Sequence, residues 1–292
     1  MIIRNEISNF IPAMVTEGGN QLYKAITDKQ QILWFKTGHK INTHIGDIAL
    51  DNEQKAYCVV RKIGIPYLPD AESIVADGQR WLVTTQVPGT RLLDIYQNLK
   101  PDELDFIIEQ VFHFIAMLRC GPAKLFGSLT ETGPHFNSER TLMEHMLHMR
   151  SGLDDARVKR LFPIIEQLST QKAFERKPVL VHYDLWPGNI FYDEENQIVT
   201  VIDLERCFYT DSCAEGASLL GMMDSELLEQ RLCEGCPTRV AKMYVYRVLF
   251  LLERLDCCKN NEECQSIRCH LDAAMATLLE RISCLEEQQW KK

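Results

Sequence analysis

The sequence predicts an α+β protein with a small β-rich N-terminal lobe, residues 1–86, and a larger, mainly helical C-terminal lobe, residues 87–292. Three observations carry that expectation. Short alternating or β-branched runs separated by turn residues dominate the first part of the chain. Stretches with apolar residues every three or four positions dominate after Thr90. Within this helical part, Val179 to Cys207 reads as strand, polar loop, strand, acidic turn and strand.

Each element follows from local sequence. Glu17-Gly18-Gly19-Asn20 is a turn feeding the alternating strand Gln21 to Ile26, and Asp28-Lys29 reverses the chain into a second strand, Gln31 to Phe35, that ends in Lys36. Glu53 stands near the start of a helical repeat formed by Ala56, Tyr57, Val60 and Ile63, which Gly64 stops. Gln79 to Val83 is a further strand, and Thr84 to Gly89 is the connector between lobes. Pro101-Asp102-Glu103 opens a helix whose stripe, Phe106 to Leu118, is core. Further helices are expected at Ser138 to Met149, with His145 and His148 on a solvated face, and at Asp154 to Thr170. Ser225 to Leu232, Thr238 to Cys258 and Asn261 to Glu287 complete the set.

Composition narrows the function. A 46% hydrophobic and 25% charged chain of 292 residues is that of an ordinary globular protein with ample core. The net charge of −9 argues against nucleic acid and favours cationic small partners. No apolar stretch is long enough for a signal peptide or a membrane span, so the expectation is a cytoplasmic protein without a membrane partner. That compartment keeps thiols reduced, so the eleven cysteines are expected free; Cys233-x-x-Cys236 with the later cysteines is a weaker zinc alternative.

The chemistry is concentrated after Val181. His182, Asp184 and Asn189 follow as H-x-D-x-x-x-x-N, and Asp203 ends the last strand of the hairpin. Phosphoryl transfer needs such a set: one carboxylate takes the proton of the attacking hydroxyl, while an amide and a second carboxylate hold magnesium. Val181-His182-Tyr183-Asp184-Leu185 through Asn189-Ile190, followed by Val201-Ile202-Asp203-Leu204-Glu205, resembles the aminoglycoside phosphotransferase and choline kinase superfamily, of protein kinase-like fold. Ile65-Pro66-Tyr67-Leu68-Pro69 resembles another stretch of that family, and Leu185 to Asn189 also looks like the fructosamine kinase form of the loop. Tyr183 replaces the usual Gly and Leu204 the usual aromatic.

The resemblance implies an ATP- or GTP-dependent kinase acting with Mg2+ on a small, hydroxyl-bearing, cationic acceptor. It assigns Asp184 as base and His182 to the same loop, with Asn189 and Asp203 on the metal. Gly18, Gly19 and Asn20 would lie over the phosphates, Lys36 paired to Glu53 would hold them, and Gln86 and Val87 would meet the base. Asp51 and Glu72 compete with Glu53 for the lysine. Tyr183, Glu205 and Asp211 are the candidate acceptor residues, and Glu215 is expected to brace the lobe. An aminoglycoside is the first acceptor expected, with choline-, ethanolamine- or thiamine-type metabolic kinases and a silent nucleotide-binding module as alternatives. No A-P-E motif follows Asp203, which argues against a protein kinase.

Overall fold

The computed structural model describes residues 7–15, 20–38, 41, 44–46, 48–121, 123–150, 156–171, 176–258 and 260–290. The strands are β1 (Ile7–Val15), β2 (Gln21–Thr27), β3 (Ile32–Thr37), β4 (Ala71–Ala76), β5 (Gln79–Thr85), β6 (Thr90–Arg91), β7 (Phe126–Gly127), β8 (His135–Phe136), β9 (Val179–Val181), β10 (Ile190–Asp193), β11 (Ile198–Val201) and β12 (Phe208–Thr210). The helices are α1 (Ala49–Ile63), α2 (Leu92–Ile95), α3 (Pro101–Leu118), α4 (Glu139–His148), α5 (Ala156–Ser169), α6 (Gly216–Leu219), α7 (Ser225–Cys233), α8 (Pro237–Cys257) and α9 (Asn261–Trp290).

Two compact units divide the chain, the first comprising Met1–Asn42, Asp47–Gly121 and Leu185–Cys207. Its five-stranded antiparallel sheet runs β1-β2-β3-β5-β4. Alternation explains the sheet: Leu33 and Phe35 of β3 point inward with Ala25 and Val83, and Tyr23, Ile74 and Trp81 pack against them. Helix α1 ends at Gly64, whose φ of 78° is a left-handed cap that glycine adopts without strain. The boundary expected after residue 86 falls inside this unit. Backbone pairing is the reason: β10 bonds to β11 on one side and β6 on the other, and the Val201 amide donates to the Tyr67 carbonyl at 2.7 Å.

The second unit comprises Thr43–Gly46, Pro122–Asp184 and Phe208–Lys292. Helices α4 to α9 dominate it around a small sheet ordered β8-β7-β12-β9. Ser138 caps α4 by accepting from the Thr141 amide. His145 departs from the solvated face expected of it: its Nε2 lies 3.1 Å from the Ile45 carbonyl and its ring packs on Phe136. The expectation of reduced thiols also needs correction, because Cys258 and Cys264 form a disulfide across the turn between α8 and α9. Compartment arguments describe how often disulfides persist; a turn that brings two Cα atoms to 5.7 Å decides whether one can form. No described helix is long and apolar enough to cross a membrane.

Candidate active site

Strand β3 delivers Lys36 into a cluster of carboxylates. Its ammonium donates to Glu53 Oε2 at 2.8 Å, Asp203 Oδ1 at 2.9 Å and Glu205 Oε2 at 2.7 Å. Asp51 is instead paired with Arg80. Glu53 is buried because α1 packs its inner face, Ala49, Leu50, Asn52, Glu53, Ala56, Tyr57 and Val60, inward. Burial opposes the charge on Lys36, but Asp203, Glu53 and Glu205 outweigh it and hold the ammonium well above its usual range. For Glu53 the balance runs the other way: burial pushes its carboxyl up to about 7 against the attraction of Lys36.

That displacement has a sign that stability measurements can read. Glu53 lies above its ordinary 4.5, so the folded protein holds this proton more tightly than the unfolded chain does. The contribution is complete below the unfolded value and disappears as pH rises through the folded one. Relative to a Glu53→Gln protein, the parent is expected to lose on the order of 1–3 kcal/mol from about pH 5 to about pH 8. Urea unfolding of the two proteins across that range tests it; a parallel pH dependence would refute the assignment.

The hairpin after the polar loop sets Asp203. Pro187–Asn189 makes a single 3-10 turn, in which the Asn189 amide donates to the Trp186 carbonyl at 2.9 Å. Glycine at position 188 lets the Trp186 ring lie over the turn, since a Cβ there would run into that ring and displace it. The Asn189 carbonyl then accepts from the Ile202 amide at 3.0 Å, which aligns Asn189 with the residue preceding Asp203. Asp203 adopts φ 64° and ψ 69°, a left-handed conformation that a non-glycine residue holds only when its surroundings over-determine it. The determinant is Asn52, which sequence reasoning missed: its amide donates to the Glu205 carbonyl at 3.0 Å and the Cys207 carbonyl at 2.6 Å. One oxygen each from Glu53, Asp203 and Glu205 lies within 4.8 Å of the others, a hard-oxygen set of the kind magnesium prefers. Asp203 is the most open of the three, with a third of its side chain exposed.

The other nucleotide candidates are in the same unit. Asn20 is buried and donates to Glu205 Oε2 at 3.2 Å; Gly18 and Gly19 lie outside the described residues. Gln86 accepts from the Trp34 indole at 2.7 Å and donates to the Val87 carbonyl, while Val87 is buried.

The loop bearing Asp184 is held within the second unit. Glu215, fully buried, accepts from the His182 amide at 2.6 Å and the Tyr183 amide at 3.1 Å. Tyr183 takes φ 65° under that clamp, and the Asp184 amide donates to His182 Nδ1 at 3.2 Å. His182 therefore orders the backbone around Asp184 through its unprotonated Nδ1.

Three residues expected at an acceptor are occupied elsewhere. Tyr183 is fully buried against His44, Phe208, Tyr246 and Phe250, and its hydroxyl donates to the Tyr246 carbonyl. Glu205 is buried on Lys36 and Asn20. Asp211 accepts from Arg239 at 2.9 Å and Lys242 at 2.8 Å; burial would raise its carboxyl, but these two cations hold it well below the usual carboxylate range. An acid buried in an apolar interior recruits an internal cation, and exposure could not be read from its position in the motif.

Structural comparison identifies the fold. A thermostable mutant of an aminoglycoside phosphotransferase, solved with AMP-PNP and hygromycin B, superposes with a TM-score of 0.65 at 15% identity, covering 92% of this chain and 94% of that one. The GDP complex of an aminoglycoside 2'-phosphotransferase gives 0.63 at 14% identity, covering 93% and 94%. Plasmodium vivax ethanolamine kinase gives 0.59 at 15%, covering 94% and 84%. The chain therefore has the protein kinase-like α+β fold. A search of curated proteins finds no match. Residues 47–246 match the model of the phosphotransferase enzyme family, and with more than half its length so matched the chain belongs to that family.

Proposed function

We propose that this protein transfers the γ-phosphoryl group of ATP or GTP to a hydroxyl of a small molecule. The observation that carries the reading is the Lys36 ammonium, held by Glu53 from helix α1 and by Asp203 at the end of the hairpin. A lysine so oriented suits the α- and β-phosphates of a nucleotide. In this reading residues 1–86 supply most of the nucleotide contacts, with Gly18, Gly19 and Asn20 over the phosphates and Gln86 and Val87 toward the base. Residues 87–292 supply the catalytic loop and the acceptor contacts.

Asn189 and Asp203 would hold magnesium, which supplies charge neutralisation at the transferring group. Asp184 orients the acceptor hydroxyl and takes its proton, while His182 keeps the loop in register. A cytoplasmic setting belongs to the same proposal. The aminoglycoside enzymes and the ethanolamine kinase among similar structures favour an aminated sugar or amino alcohol as acceptor, with thiamine-type compounds behind them. Glu205 and Asp211 lend no support to a cationic acceptor, since internal cations neutralise both.

The test is nucleoside diphosphate release from magnesium-ATP or magnesium-GTP across aminoglycosides, choline, ethanolamine, thiamine and amino sugars. Turnover that depends on an acceptor is the expected result. Failure of the protein to bind either nucleotide would sink the proposal.

A further inference from the structure

Helix α8 is buried on every side from Thr238 to Glu253 with one exception, Arg247, which keeps partial access to solvent. The three other cations of this helix have carboxylate partners. Arg239 meets Asp211 at 2.9 Å, Lys242 meets Glu139 at 2.6 Å and Asp211 at 2.8 Å, and Arg254 meets Glu263 at 3.5 Å. Arg247 has none among the described residues. Its Nη1 donates to the Ala217 carbonyl at 2.6 Å, and its guanidinium lies over the Phe250 ring at 5.9 Å.

A guanidinium has five N–H donors in a rigid fork, and one hydrogen bond to a carbonyl leaves most of them unused. Burial weighs against the charge here and the neighbouring Arg254 adds to it; Tyr183 and Tyr244 offset only part, and no carboxylate among the described residues compensates. Gly221 lies beside Nη2: a Cβ there would stand 3.5 Å from it, in van der Waals contact, so the glycine leaves this edge more open than a side chain would. The location is informative too. Phe250, beneath the guanidinium, packs at 5.7 Å on Tyr183, the residue before Asp184. Arg247 is thus one aromatic ring away from the loop that carries the base.

We propose that Arg247 is an anion-binding residue of the acceptor site, selecting a hydroxyl compound that also carries an oxyacid group, either carboxylate or phosphate. The proposal rests on the phosphotransferase reading above and turns its acceptor from purely cationic to anionic or zwitterionic. The fork of a guanidinium matches both groups, engaging two oxygens of either by parallel hydrogen bonds.

The full-length protein, saturated with magnesium and a non-hydrolysable nucleotide, is titrated with sodium acetate and separately with inorganic phosphate while the arginine Nε–H resonances are followed by NMR. Arg247→Gln assigns the resonance, and Arg247→Lys does so if the first variant fails to fold. A saturable shift of the Arg247 signal with one anion is expected, and which anion acts distinguishes the carboxylate from the phosphate form. No shift with either overturns the proposal. In parallel, diphosphate release is compared for matched acceptors: ethanolamine against serine, and glycerol against glycerate and glycerol 3-phosphate. The anionic member is expected to have at least a tenfold higher kcat/KM, and Arg247→Gln to remove that advantage through KM. Preference for the uncharged or cationic member would also overturn it. If no acceptor turns over and no nucleotide binds, the phosphotransferase reading fails, whereas the same NMR titration of the nucleotide-free protein still reports on Arg247 alone.

Discussion

An Asp184→Asn protein is expected to bind magnesium-nucleotide like its parent and to turn over about 10²- to 10⁴-fold more slowly, the range that removal of a general base produces. The substitution keeps the backbone anchors of the loop: Glu215 accepts from the amides of His182 and Tyr183, and the amide of residue 184 itself donates to His182 Nδ1. Asparagine has the size of aspartate and retains that amide, but its side-chain oxygen takes up no proton at neutral pH. Loss should therefore appear in kcat and not in nucleotide affinity. Single-turnover kinetics with equilibrium nucleotide binding separate the two, and an Asp184→Asn enzyme with parental kcat would remove this residue from the mechanism.

The second large effect concerns stability. Lys242, fully buried, donates to Glu139 and Asp211, and Tyr246 donates a further hydrogen bond to Glu139 at 2.9 Å and also pairs with Thr210. Lys242→Met fits the same space and leaves two buried carboxylates, with no cation on Glu139 and only Arg239 on Asp211 among the described residues. A destabilisation of about 3–5 kcal/mol is expected, the usual penalty for breaking a buried pair. Its pH dependence follows from the chemistry. Burial already pushes the Glu139 carboxyl up to about 7, and loss of Lys242 pushes it further. A raised carboxyl favours the folded state below the unfolded value and loses that advantage as pH rises through the folded one. The variant should therefore be closer to its parent at about pH 5.5 than at about pH 8. Urea unfolding at both values measures this, and a pH-independent penalty would mean that Glu139 is not the group left exposed to the change.

Much of the fold was legible because it is written in short-range patterns. Alternation marked β2, β3 and β5, a helical repeat closed by Gly64 marked α1, and the acidic turn between β10 and β11 marked the hairpin. The order of Lys36, Glu53, His182, Asp184, Asn189 and Asp203 was readable for the same reason: each occupies a set place within a local element. Strands β1 and β4 were not picked out, and β4 shows why, since its exposed face breaks the apolar alternation that pattern reading depends on.

Only the tertiary structure decided how charges are spent. Lys36 and Glu205 are 169 residues apart, and Glu139 and Lys242 are 103 apart. No periodicity links such positions, so an acid in a motif looks equally free whether it faces solvent or an internal cation. Tyr183, Glu205 and Asp211 were read as acceptor residues; the first is buried and the two acids are paired with internal cations, and Asn52 went unnoticed although it holds the turn after Asp203. Arg247 is the converse case. In sequence it interrupts an apolar helix like any other arginine, and its lack of a carboxylate partner among the described residues emerges only when the neighbours folded around it are known. Sequence alone determined the family and the local elements on which the candidate residues lie, because those depend on spacing along the chain. Which charged groups remain available to a ligand depends on long-range neutralisation, and that is a property of the packed chain.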